Sequence, residues 1–213
     1  MHKKTLLATF AASMMLATTA QADTIKQGGT LTVPIINTGF VENFNPYTTK
    51  DTLHGIMFEP LFVLNNMTGE THYRLAESVE YSDDLKTITL KLRDGLEWSD
   101  GAPLTAEDVV FSFELTKKAP AFDVKAIWPT GNLTSIAATD KQTVVFNLAE
   151  PDSTFLWSIG AYHIVPKHTW SKVTDYTTFT NPNPVGSGPM TTVKYVKPQP
   201  VSYTHLRAHE TAS

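Results

Sequence analysis

The sequence predicts a mixed α/β (α+β) fold made of antiparallel hairpins with few helices. Three observations carry this. Residues 87–92 alternate strictly, with Ile88, Leu90 and Leu92 on one face, which is the period of a half-buried strand. Residues 143–148 repeat the pattern with Val144, Phe146 and Leu148. Residues 106–118 instead follow a helical period between a start and a stop signal.

The elements follow in chain order. Residues 1–22 open with Lys3 and Lys4, continue through an apolar stretch and end on Ala20-Gln21-Ala22. That is the layout of a secretory leader cleaved after Ala22, and the stretch is too short to span a bilayer. Cleavage takes the formal charge from −4 to −6 and makes Asp23 the first mature residue. After Gly28-Gly29, residues 30–36 read as a strand, with Pro34 at an edge or bulge. Residues 37–49 are turn-rich and carry Phe40, Phe44 and Tyr47, a loop suited to ligand contacts. A short helix is expected over 51–57, ending before Pro60. A buried strand over 61–64 and a turn over 65–69 follow. Turns at 82–84, 94–95 and 99–101 punctuate the next stretch. The helix over 106–118 has Thr105 as N-cap and Asp108 as a capping-box partner, acidic residues in its first turn and Lys117 and Lys118 in its last. Val109, Val110 and Phe113 form its apolar face, and Pro120 ends it. Residues 133–137 pair with 143–148 through a turn at Asp140-Lys141.

Composition narrows the function. At 213 residues with 41% hydrophobic side chains the chain can bury a core, and no basic run points to nucleic acid. There is no cysteine, so thiol catalysis and Cys-ligated metals are excluded for this sequence. His163 and His168 are five apart with Pro166 between them, so they share no helical face and read as surface or capping residues. Asp83-Asp84 and the Glu97/Asp100 pair sit in turns, where Asp bonds its own backbone. Ser187 lacks the G-x-S-x-G pattern of a nucleophile elbow, since Val185 stands two residues before it. No P-loop or dinucleotide fingerprint occurs, and no cofactor is expected. The sequons at Asn66 and Asn132 are idle in a bacterial-type exported protein. Trp98, between a strand and a tight turn, reads as core. Trp128, between Ile127 and Pro129, reads equally as core or as a platform for a sugar ring.

Several segments together resemble a known family. They are Phe44-Asn45-Pro46-Tyr47, Phe58-Glu59-Pro60-Leu61, Leu75-Ala76-Glu77-Ser78, the run LRDGLEWSDGAPLTAEDVVFSF over 92–113, Val165-Pro166-Lys167-His168, and residues 183–189 with Gly186-Ser187-Gly188-Pro189. In this order they resemble the family 5 extracellular solute-binding proteins, receptors of ABC importers for oligopeptides, nickel and oligosaccharides. The likeness spans about 28–200. Residues 40–46, 81–85, 170–173 and 179–181 lean toward the chito- and cello-oligosaccharide branch.

The resemblance implies a bilobed periplasmic-binding-protein fold, type II-like with an extra subdomain, and a cleft that closes on its ligand. It divides the chain into the leader 1–22, the start of lobe I over 23–43, an inserted subdomain over 44–173 and a return to lobe I over 174–200. Residues 201–213 break the pattern and read as a non-native tail, such as a translated sequencing adapter leaves. Family members are more than twice as long, so residues 23–200 alone would supply one wall of a cleft. The implied role is a periplasmic, monomeric receptor and not an enzyme. It would bind an oligosaccharide or an oligopeptide and dock on an ABC permease with its ATPase. Phe40 and Trp128 are the expected ring-stacking contacts and Asn43 the expected hydrogen-bonding one. A rival reading, a secreted glycan hydrolase, needs a close carboxylate pair in a groove.

Overall fold

The computed structural model describes residues 43–48, 54–128, 132–190, 193–196 and 199–203. The leader, the strand expected over 30–36 and Phe40 lie outside the described residues. In order, the elements are α1 (His54–Met57), β1 (Phe62–Leu64), β2 (Thr71–Tyr73), β3 (Ala76–Tyr81), β4 (Thr87–Leu92), α2 (Ala106–Lys118), a 3-10 turn (Pro120–Phe122), β5 (Leu133–Ala138), β6 (Thr143–Leu148), α3 (Leu156–Ile159), α4 (Lys167–Trp170), β7 (Val193–Val196) and β8 (Gln199–Tyr203).

Alternation along the chain becomes one antiparallel sheet of order β3-β4-β6-β5. The register places Ile88 opposite Phe146 and Leu90 opposite Val144, so both inward rows meet on one face. Ile88, Leu90, Leu92, Val144, Phe146 and Leu148 are all buried there. α2 covers this face, and the Phe113 ring meets Phe146 edge-on at 5.2 Å and stacks on Tyr162 at 4.1 Å. Trp98 is fully buried in the same core, as its position between strand and turn predicts.

The helix begins where its capping residues predict. The Thr105 backbone N–H donates to the Asp108 carboxylate at 2.9 Å, the return arm of the capping box. Its buried surface differs from the expected apolar face. Val109 and Phe113 are buried, but Val110 is only half-buried. A second buried row is polar: Asp108, Ser112 and Thr116, one helical turn apart.

Three strands, β2, β3 and β8, escape the sequence reading. β2 is three residues long and half-exposed, and β3 is an edge strand whose only fully buried residue is Ala76. Neither needs an apolar face, so neither writes a period-2 pattern. α1 begins at His54, with 51–53 outside the described residues. At the far end β7 pairs with β8, which carries residues 201–203.

A second core lies beyond α2, built from Phe44, Met57, Phe58, Leu115, Phe122, Val165 and Trp170. Tyr47 stacks on Phe122 at 5.1 Å and meets Trp170 edge-on at 5.8 Å. Beside it the His163 imidazole is largely buried, and burial alone lowers its pKa. A group with a depressed folded pKa binds its proton more readily in the unfolded chain. Stability from neutral His163 is therefore complete above the ordinary value near 6.5 and is lost as pH falls from there through the depressed folded value. His163→Gln is expected to flatten the fall in melting temperature between pH 7 and pH 5. An unchanged slope would contradict this.

Candidate functional site

The segments that carry the family resemblance lie against one another in space. Asn45 is fully buried, and its amide donates to the carbonyls of Tyr176 (3.1 Å) and Phe179 (2.8 Å). Its side-chain oxygen accepts the Tyr47 N–H at 2.9 Å. In return, the Asn181 amide donates to the Phe44 carbonyl at 3.1 Å, and the Phe44 N–H to the Thr180 carbonyl at 2.8 Å. Residues 43–48 and 176–181 thus form a reciprocal clasp. A second joint binds Gly186-Ser187-Gly188 to the end of α1. The Gly188 N–H donates to the Met57 carbonyl at 2.8 Å, and the Ser187 hydroxyl accepts the Glu59 N–H at 3.0 Å. Ser187 therefore has a backbone-holding role, in keeping with the missing nucleophile elbow. Ser99 exchanges two bonds with Gly186, one through its N–H (2.9 Å) and one through its hydroxyl (3.2 Å).

The polar row of α2 holds the segment 162–167. Asp108 accepts the Lys167 N–H at 2.8 Å, Ser112 accepts the Val165 N–H at 2.9 Å, and the Tyr162 hydroxyl donates to Thr116. Each polar side chain of this row is satisfied, which its burial requires. Burial raises the Tyr162 pKa, the Thr116 bond opposes that, and nearby Asp123 adds to the rise. His168 bonds Asp100 at 2.7 Å, so the two histidines serve separate contacts. Partial burial works against the Asp100 charge, but the bonds from His168 and the Ala102 N–H hold its pKa below the ordinary carboxylate value. Among the described residues no cluster of three or more His, Asp or Glu side chains is placed to hold a metal ion.

One groove, of about 450 Å³, opens between the end of α2 and the start of β5. Trp128 lines it together with Lys117, Asp123, Pro120 and Thr134. Trp128 itself is only 7% exposed. Its indole N–H donates to the Phe113 carbonyl at 2.9 Å, the polar handle a buried indole needs. The Asp123 carboxylate accepts the N–H groups of Ile127 (3.0 Å) and Trp128 (3.1 Å), fixing the loop through Ala126, which sits at φ 50°. The Lys117 ammonium lies 4.4 Å from the ring centroid, a cation–π contact over the indole. Trp128 is packed as core, and it borders the groove with the Lys117 ammonium over its ring.

Asn43 lies apart from Trp128 in the sequence and caps its own turn. Its oxygen accepts the Asn45 N–H at 2.9 Å and its amide donates to the Thr48 hydroxyl at 3.0 Å. Phe40 lies outside the described residues. Sequence reasoning missed Lys117 and Asp123 as partners of Trp128. The signal was present in Asp123 standing four and five residues before the N–H groups it caps.

The architecture is that of one part of a bilobed periplasmic binding protein. A periplasmic oligopeptide-binding protein of an ABC transporter from Thermotoga maritima superposes with a TM-score of 0.64 at 35% identity, over 72% of this chain and 29% of that one. The same protein, solved with mannohexaose bound, gives 0.59 at 36% identity, over 66% and 26%. The ABC transporter substrate-binding protein CtaP of Listeria monocytogenes gives 0.70 at 32% identity, over 85% and 37%. A Brucella ovis protein named for ABC-transporter peptide binding is 32% identical over 176 residues, 78% of this chain and 32% of that protein. The bacterial extracellular solute-binding proteins, family 5 (Middle), match over residues 70–210. The chain belongs to that family. It spans about a third of the length of the relatives it matches.

Proposed function

We propose that this chain is part of the substrate-binding component of an ABC importer, exported to the periplasm behind the leader 1–22. In this reading it captures chito- or cello-type oligosaccharides and delivers them to a permease and its ATPase, without catalysis. Family membership is the observation that carries the receptor role. Support for a sugar comes from the Thermotoga relative, which is named for oligopeptides and yet was solved holding mannohexaose. The groove beside Trp128 suits the same ligand. When Lys117 leaves the ring, the indole offers a π surface to the C–H face of a pyranose, and the Thr134 hydroxyl and the ammonium remain for its hydroxyls. Phe40 would stack on a second ring. Asn43 would bond a hydroxyl through the amide hydrogen and oxygen lone pair that its turn leaves unused.

An oligopeptide is the second reading, favoured by the names of the Brucella and Thermotoga relatives. Titration of the protein at its relatives' full length tests the Trp128 contact. Trp128→Phe is expected to lower affinity for cellohexaose severalfold while preserving the core, and Lys117→Met to lower it by removing the ammonium offered to the sugar hydroxyls. Wild-type affinity in both variants would remove Trp128 from the site.

A further inference from the structure

We propose that Met67 is a reversible oxidation site, whose thioether a peroxide converts to the sulfoxide while the fold stays intact. The inference stands apart from the receptor reading and from the sugar groove. Beyond the leader 1–22 the methionines of this sequence are Met57, Met67 and Met190, and it has no cysteine. Thioethers are therefore its side chains most open to a peroxide. Burial separates the three. Met67 is 95% exposed, whereas Met57 is 1% and Met190 4% exposed. Oxidation needs the peroxide oxygen to reach sulfur, so access selects Met67.

The fold makes no use of the Met67 side chain. It stands in the turn between β1 and β2, and other groups hold that turn. The Asn65 side-chain oxygen accepts the N–H of Met67 at 2.9 Å and of Thr68 at 3.3 Å. The Gly69 N–H donates to the Asn65 carbonyl at 2.8 Å, and the Asn65 N–H to the Glu70 carbonyl at 2.8 Å. The Thr68 hydroxyl accepts the Glu70 N–H at 3.3 Å. Met67 contributes only its backbone, so a polar oxygen on its sulfur projects into water and breaks no contact. Met57 is the opposite case. It packs in the second core, where a sulfoxide would be a buried polar group among apolar neighbours.

The chemistry balances with hydrogen peroxide as the oxidant. A lone pair on the Met67 sulfur attacks one peroxide oxygen, the S–O bond forms, the O–O bond breaks and water leaves. Sulfur loses the electron pair that the peroxide gains. The return step needs a thiol-dependent sulfoxide reductase. Its two thiols become a disulfide and the sulfoxide oxygen departs as water. Both thiols come from the reductase, because this chain has none. The cycle thus switches the tip of the hairpin between an apolar and a polar, chiral side chain.

The test exposes the full chain to graded hydrogen peroxide and follows each methionine peptide by mass spectrometry. Met67 is expected to gain one oxygen about tenfold or more faster than Met57 and Met190, with no change in melting temperature at that stage. A mixture of reductases for both sulfoxide epimers should then restore the original mass. Met67→Leu should abolish the fast uptake and melt like wild type. Equal rates at Met67 and Met57, a melting temperature that falls with the first oxygen, or a sulfoxide the reductases leave in place would each overturn the proposal.

Discussion

Gly188→Ala is expected to destabilise the fold by about 3 kcal/mol, the upper part of the usual range for overpacking. A Cβ at Gly188 would stand 2.3 Å from the Ile56 carbonyl oxygen, and one at Gly186 would stand 2.2 Å from the Met57 carbonyl oxygen. Both obstacles are backbone, so no side chain can swing aside. Relief would require breaking the Gly188–Met57 bond of 2.8 Å and lifting the segment off α1. Gly186→Ala should behave alike. In a chain of this size each would lower the melting temperature by roughly 6–12 °C. Gly55→Ala is the control: it lies in α1 with nothing within 4 Å, and alanine suits a helix better than glycine. Thermal melts of the three variants decide the matter. A Gly188→Ala protein melting within a degree of wild type would contradict the close approach.

Asp108→Ala is expected to cost about 3 kcal/mol by stranding backbone donors in the interior. The carboxylate accepts the N–H of Thr105 at 2.9 Å and that of Lys167 at 2.8 Å, while Ser112 bonds the Asp108 carbonyl at 2.7 Å. One side chain therefore both caps α2 and anchors the segment leading into α4. Alanine meets neither donor. Asn offers one acceptor oxygen but turns amide hydrogens toward the other N–H, so Asp108→Asn should fall between. Hydrogen exchange should report the damage locally, as faster exchange at Val165 and Lys167 than at the sheet amides. Neighbouring Glu107 pairs with Lys167 on the surface, and Glu107→Gln should change little. Equal stability of Asp108→Ala and wild type would remove the polar row from the account.

The sheet and its helix were legible because both are one-sided. Ile88, Leu90 and Leu92 repeat at two, Val109 and Phe113 at four, and each period appears in the sequence because one face is wet and the other dry. β3 was not legible, since an edge strand with one fully buried residue has no contrast to display. The polar row of Asp108, Ser112 and Thr116 was hidden for a related reason. Polar residues at helical spacing read as a solvated face, and only the chain returning at 162–167 makes that face interior. The family motifs were legible because they are the joints: Asn45, Gly186 and Gly188 each answer a backbone constraint that few other residues meet. Ligand contacts answer to a ligand, and their residue types are shared with the core. Trp128 shows the difficulty, being 7% exposed and yet at the edge of a groove.

Calorimetry tests the receptor most directly, with the protein at its relatives' full length titrated separately with cellohexaose, chitohexaose and an oligopeptide of similar size. The sugar should then be recovered and analysed for cleavage. Saturable binding of one of the hexaoses at micromolar affinity or better, with the sugar recovered intact, is the predicted result. Binding of the peptide alone would contradict the sugar assignment, and recovery of shortened sugars would contradict a receptor that works without catalysis.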